Sequence, residues 1–430
     1  MPRPDITVRG GRLIDPCNHI DAVLDLHIAD GRVLAVGDAP DGFQADIELD
    51  ARGLNVIPGL IDMHARLREP GQEFKATIDS ECRAAAAGGI TTLCCTPDTN
   101  PVIDTPAVVE LIHHRAQQTG AARVVVVGAL TRGLQGEHLS EMAALQQAGC
   151  VGVSNGLQAL VSTRIERRAF EYAATFDLTV FLHAADAALS ANGCMHEGHL
   201  STRLGLPGIP EAAETVAVAR DLALIQQTGV RAHFCRLTTR RAVRMVARAR
   251  FDDIPVSADV AIPNLYLSEL DTIDFGADYH FIPPLRTQED RDGLREGLSS
   301  GTLTALCSDH QPHEADAKLA PFPATEPGAS GLDTLLSLTL KLAQENYLLL
   351  PDAIARVTCG PAQVLNVPYG ELGIGRAADV CIFDPAATWQ LDTASMHSMG
   401  KNTPFLGWEM PGRVRYTLRD GQIIFNRDDL

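Results

Sequence analysis

Through its middle the chain alternates short, wholly apolar runs with longer stretches of helical periodicity. The apolar runs end near His64, Thr96, Gly128, Val153, His183, Arg236, Asp259 and Asp309. Segments with apolar residues at helical spacing follow them, among them 105–118, 212–228, 288–298 and 332–345. Eight strand-then-helix units over about 300 residues predict an α/β fold, a (β/α)₈ or TIM barrel, with a doubly wound open sheet as the competing arrangement. Both ends of the chain have a different texture. Residues 6–9 and 24–28 read as strands, and Asp30-Gly31 is a hairpin signal. Residues 379–383, 414–418 and 423–425 repeat the pattern around Asp420-Gly421. The expected organisation is a small β-sandwich domain built from both termini (1–55 plus 366–430) around a barrel at 56–365.

Composition narrows the function. At 430 residues the chain buries a large core, and 45 % hydrophobic with 21 % charged residues is ordinary for a globular protein. A formal net charge of -18 argues against a nucleic-acid surface and against anionic membranes. No apolar run is long enough to span a bilayer, and Met1-Pro2-Arg3-Pro4-Asp5 lacks the shape of a signal peptide. Ten cysteines without regular spacing point to a reducing cytoplasm, with Cys94-Cys95 as core residues.

In a barrel the C-terminal strand ends face the active-site mouth, and the unusual residues fall there. The first strand closes with Asp62-Met63-His64-Ala65-Arg66-Leu67-Arg68. An aspartate followed by two histidines one residue apart opens the metal site of amidohydrolases, but the second histidine position holds Arg66. A guanidinium stays protonated and offers no lone pair to a metal.

Further segments carry a resemblance over nearly the whole length. They are Pro58-Gly59-Leu60-Ile61, Arg68-Glu69-Pro70-Gly71, Thr99-Asn100-Pro101-Val102, Met195-His196-Glu197-Gly198, Gly208-Ile209-Pro210, Pro283-Pro284-Leu285-Arg286, Ser308-Asp309-His310-Gln311-Pro312-His313 and Lys401-Asn402-Thr403-Pro404-Phe405. In these the chain resembles the dihydroorotase family of the amidohydrolase superfamily. Its members interconvert carbamoyl aspartate and dihydroorotate in pyrimidine synthesis, using zinc to activate water and polarise the amide carbonyl. The resemblance implies that His64, His183 and Asp309 are relict metal ligands, Asp309 also being the proton shuttle of working members. Arg66, Asn155 and Arg236 stand where a histidine, a metal-bridging aspartate and another histidine are expected. Neither half-site keeps three ligands, the usual number for catalytic zinc. Like charges about 4 Å apart at an effective dielectric near 20 repel by roughly 4 kcal/mol, so two arginines oppose a dication there.

The substrate positions are mixed. Arg68 and His313 match substrate contacts, whereas Asp98 and Ile282 replace family asparagines. Buried arginines need carboxylates, so Arg66 and Arg236 are expected to pair with Asp98 and Asp309, an arginine–Asp309 ion pair filling the zinc space. His233 is expected in the core or in the layer behind the ligand positions, and residues 314–328 as a mobile lid or interface loop. The resemblance is strongest to a non-catalytic branch, whose members assemble with the catalytic chain of aspartate transcarbamoylase in some bacteria. It implies an inactive structural subunit in hetero-oligomers, with homo-oligomer contacts and no cofactor. The alternatives are an active zinc-dependent dihydroorotase or related cyclic amidohydrolase, and a metabolite-binding protein without turnover that uses Arg68 and His313.

Overall fold

A computed structural model describes residues 3–429. Eight parallel strands form its centre: β1 (Leu60–Ala65), β2 (Ile90–Cys95), β3 (Arg123–Ala129), β4 (Cys150–Ser154), β5 (Thr179–Leu182), β6 (Ala232–Phe234), β7 (Val256–Ala261) and β8 (Ala305–Cys307). They pair in chain order. Every residue of β1, β2 and β5 is buried, as expected of parallel strands covered on both faces. Just past β8 the ring meets its first strand. Ala65 and His310 form a parallel bridge, His310 N donates to His64 O at 3.1 Å and Arg66 N donates to His310 O at 2.9 Å. Asp62 fastens the same seam by accepting from Ser308 N at 2.9 Å and from the Ser308 hydroxyl.

The helices fall where the periodicity puts them: Pro106–Thr119, Glu211–Thr228, Gln288–Ser299 and Leu335–Gln344. Thr77 and Thr287 start helices with reciprocal capping boxes to Ser80 and Asp290, satisfying otherwise orphaned N–H groups. Gly120 and Gly229 end two others in the left-handed conformation that glycine adopts without steric cost.

Strands from both termini form one additional sheet. It runs from Gln422–Asn426 through Glu409–Arg419, Val380–Gln390, Asn55–Pro58, Ile6–Asp15 and Ile20–Ala29 to Arg32–Val36, with Ile47–Asp50 also on Ile6–Asp15. The turns Asp30-Gly31 and Asp420-Gly421 both take positive φ at each residue, the signature of the tightest hairpin type. The sheet has its own apolar cluster, including Ile6, Leu13, Leu26, Val380 and Leu418. The expected boundary at residue 56 needs correction. Asn55–Pro58 pairs with Val380–Gln390 in the terminal sheet, so the chain enters the barrel after Pro58. Its four residues are all buried, which made them read as a continuation into β1.

At the base of the barrel the two sheets are joined by Arg123, the first residue of β3. Its guanidinium donates to Asp379 at 2.6 Å and to Thr92 at 3.1 Å, pairs with Asp420 at 3.0 Å and lies 3.7 Å above the Tyr369 ring. No helix among the described residues is long and apolar enough to cross a membrane.

Candidate functional site

At the mouth, the strand ends bring His64, Arg66, Asp98, His183, Arg236 and Asp309 together. Arg236 follows β6 and Asp309 follows β8, and both take left-handed backbone conformations, φ 54 and 49. Side chains other than glycine, asparagine and aspartate enter that region at a cost, and such residues gather at functional sites. Arg236 is held there by Asp259 at the middle of β7, whose Oδ1 accepts the Arg236 N–H at 2.5 Å.

Both expected ion pairs are present. Arg236 Nη1 donates to Asp309 Oδ1 at 2.8 Å, and Arg66 Nε donates to Asp98 Oδ2 at 2.7 Å. The same Asp309 oxygen lies 3.8 Å from Arg66 Nη1 and 3.5 Å from His64 Nε2. Arg66, Arg236 and Asp309 are 6 %, 2 % and 3 % exposed, so these charges depend on one another rather than on water. Burial alone pushes the Asp98 carboxyl up, but the charge of Arg66 and hydrogen bonds from Thr96 and Arg66 outweigh it and hold it at about 2. Burial, then Arg236 and Arg66, drive His183 down to about 3. The same causes, with His183 added, put His64 well below the ordinary imidazole range. Both imidazoles are therefore neutral at pH 7.

Zinc, the metal implied by the resemblance, does not fit these residues. A catalytic zinc takes three nitrogen, sulfur or carboxylate ligands. Two positions around the site hold guanidinium groups without lone pairs, and the two carboxylates at hand, Asp309 and Asp98, are bonded to Arg236 and Arg66. The third replaced position, Asn155, is turned away. Its Oδ1 accepts from Thr131 at 2.6 Å, and its Nδ2 donates to Gln158 O at 2.9 Å and Leu134 O at 3.3 Å.

Arg68 and His313 meet each other one layer out. Arg68 donates to Pro312 O at 3.0 Å and Gln72 Oε1 at 3.2 Å, and its Nη2 is 3.1 Å from His313 Nε2. Their polar atoms are thus engaged within the chain. Ile282 lies apart from them, in a cavity of about 340 Å³ that it shares with His183, Ala184, Ile209 and Pro283.

The segment 314–328, expected as a mobile lid or interface loop, is bonded closely to the rest of the chain. It folds into two short helical turns, Ala315–Lys318 and Phe322–Ala324. Lys318 Nζ donates to the carbonyls of Ala277, Glu326 and Gly328, at 3.2, 2.6 and 2.9 Å. The buried Lys75 ties the segment down through Glu326 and, at 3.7 Å, Glu314. Backbone carbonyls saturated by lysine heads have little reason to swing into water.

Several contributors escaped sequence reasoning. His233 lies in the core behind the site, as expected; the partners that sequence did not supply are Asp259 at 2.9 Å and Ser257 at 2.7 Å, and through the first it orients the carboxylate that fixes Arg236. With Cys235 these residues make the one described histidine, cysteine and carboxylate group tight enough to hold an ion. Both imidazole nitrogens already have protein partners, so it is a hydrogen-bonded core cluster. Behind Asp309, Gly331 N donates to His310 Nδ1 at 3.1 Å, leaving Nε2 to donate to the buried Glu81 at 2.8 Å. Among the sequence signals, only the apolar run expected to end near Asp259 pointed toward these pairs, and the strand runs on to Ala261.

With the geometry described, known proteins add the context. Residues 53–242 match the model of the dihydro-orotase-like family. A dihydroorotase-like protein of Pseudomonas aeruginosa is 53 % identical over 97 % of this chain and 99 % of its own. A dihydroorotase of Syntrophotalea carbinolica is 44 % identical over 99 % of this chain and 100 % of its own. Among solved structures, the L-hydantoinase (dihydropyrimidinase) of Arthrobacter aurescens superimposes with a TM-score of 0.87 at 24 % identity, over 99 % of this chain and 96 % of that one. That likeness establishes the barrel with its additional terminal sheet. The sequence identities go further: this chain belongs to the dihydroorotase-like family.

Proposed function

We propose that this protein is a non-catalytic member of its family. In this reading it serves pyrimidine synthesis as a structural subunit assembled with the catalytic chain of aspartate transcarbamoylase in the cytoplasm. One observation carries the loss of chemistry: the Arg236–Asp309 ion pair at 2.8 Å, with Arg66 reaching the same carboxylate oxygen. Asp309 is the residue that the resemblance makes both ligand and proton shuttle, and here it neutralises arginine. A hydrolase of this type needs a metal-generated hydroxide, and these side chains offer no competent ligand set for it. The self-engaged Arg68 and His313 support the same reading, because substrate would have to displace contacts already made.

The structural role is supported by what the fold retains. Barrel, seam and terminal sheet are held by groups that need no zinc. The test is purification of the native complex without chelators, with metal quantified in the same sample. Co-migration with an aspartate transcarbamoylase chain at negligible zinc is the expected result. Stoichiometric zinc with carbamoyl aspartate cyclisation would instead establish the active dihydroorotase that several relatives are named as. The cavity at Ile282 favours one further reading, a binding protein for a small metabolite without turnover. Tight binding of such a molecule with neither zinc nor partner would select it.

A further inference from the structure

Between the two arginines lies a cavity of about 20 Å³, room for one water or one small ion. Its polar wall comes from His64, Arg66, Thr96, Ser154, His183 and Arg236, and no carboxylate lines it. Four buried atoms of these lining residues, His64 Nε2, Arg66 Nη1, His183 Nδ1 and Arg236 Nε, have no hydrogen-bond partner among the described residues. Two of them are N–H donors on permanently charged groups. Buried donors left unmatched cost about 1–3 kcal/mol each, more when charged, so such a wall selects an acceptor. Asp309 Oδ1 and Asp98 Oδ2 bond other atoms of the same guanidiniums, and Asp309 Oδ1 comes only within 3.8 Å of Arg66 Nη1 and 3.5 Å of His64 Nε2, beyond hydrogen-bonding geometry.

We propose that this position binds a single small monovalent anion of the halide class, the charge opposite to that of the metal the fold otherwise holds there. Arg66 Nη1 and Arg236 Nε donate to it, and the two imidazoles complete its shell with whichever nitrogen carries the proton. A carboxylate or phosphate is too large for the space. A dication is repelled by the same two side chains that hold the anion. The inference rests on the non-catalytic reading of the site.

Bromide is the probe. Anomalous diffraction from crystals soaked in sodium bromide is expected to give a peak within hydrogen-bonding reach of Arg66 and Arg236. In solution the melting temperature should rise saturably with bromide at constant ionic strength, balanced with methanesulfonate, which the cavity excludes. Arg66→Gln keeps the Arg236–Asp309 pair and should weaken the effect about tenfold or more, as loss of one charge-assisted bond does. Arg236→Gln is the second variant, read only if it folds. An ordered water without bromide, or a peak in the crystal with no saturable shift in solution, overturns the anion site. With zinc absent from the same preparation, either result leaves the non-catalytic reading standing. Zinc at this position overturns both.

Discussion

The barrel carries an arginine–aspartate cluster at each end, and the two are built differently. At the base, Arg123 is matched on every side: two aspartates, a threonine and a tyrosine face take up its charge and its donors. At the mouth, Arg66 and Arg236 have carboxylates, yet each keeps a buried nitrogen without a partner, and two imidazoles share that condition. The base is a joint that holds two sheets. The mouth has charges that are only partly matched, as the proposed loss of chemistry there would leave them.

That contrast is open to attack. The largest expected effect is metal uptake. Arg66→His, Asn155→Asp and Arg236→His together should give about one zinc per chain, with a dissociation constant at or below about 1 μM, which is about 8 kcal/mol of binding, by calorimetry. Turnover should stay weak because Asp98 and Ile282 remain. Arg123→His at the base should take up none.

Next comes stability. Asp379→Ala leaves Arg123 without its main partner and removes the acceptor for Asp420 N. It should cost about 3–5 kcal/mol in urea unfolding. At the mouth, Arg236→Met with Asp309→Leu removes both members of the pair and should change stability by no more than about 1 kcal/mol. Arg123→Met with Asp379→Leu should cost clearly more. Equal costs for the two doubles would erase the distinction.

The pH response comes third. His183 is held near 3 in the folded chain against an ordinary 6.5, so between those values the unfolded chain binds more protons. Its contribution is complete above pH 6.5 and falls away as pH drops toward 3. Asp98, held at about 2 against an ordinary 3.8, adds a loss that begins lower still. Thermal unfolding from pH 7 to pH 4 should therefore be flatter in His183→Gln than in the parent. The smallest effect is at the pinned segment. Lys318→Ala releases three carbonyls, should cost about 1–2 kcal/mol, and should expose 314–328 to limited proteolysis.

The barrel was legible because its strands are unbroken apolar runs and its helices keep their period. The hairpins at Asp30-Gly31 and Asp420-Gly421 were legible because few dipeptides accept two positive φ values. The ion pairs of Arg66 and Arg236 followed from one rule, that a buried cation must find an anion. Other features depended on contacts that sequence does not rank. Asn155 turned outward because Thr131, Leu134 and Gln158 offered its amide three bonds in adjoining loops. The pinning of 314–328 runs through Lys75, some 250 positions away from its Glu326 partner. Residues 56–58 read as part of the barrel because an apolar run looks alike in either sheet.

Asp259 has a consequence of its own. It grips the peptide of residue 236, not the side chain, and His233 and Ser257 steady it from within the wall. Arg236 is thus positioned by a bond that does not involve its guanidinium. The side chain at 236 can therefore be exchanged without removing the bond that fixes its peptide. An engineer wishing to rewrite this mouth inherits a socket that accepts new plugs.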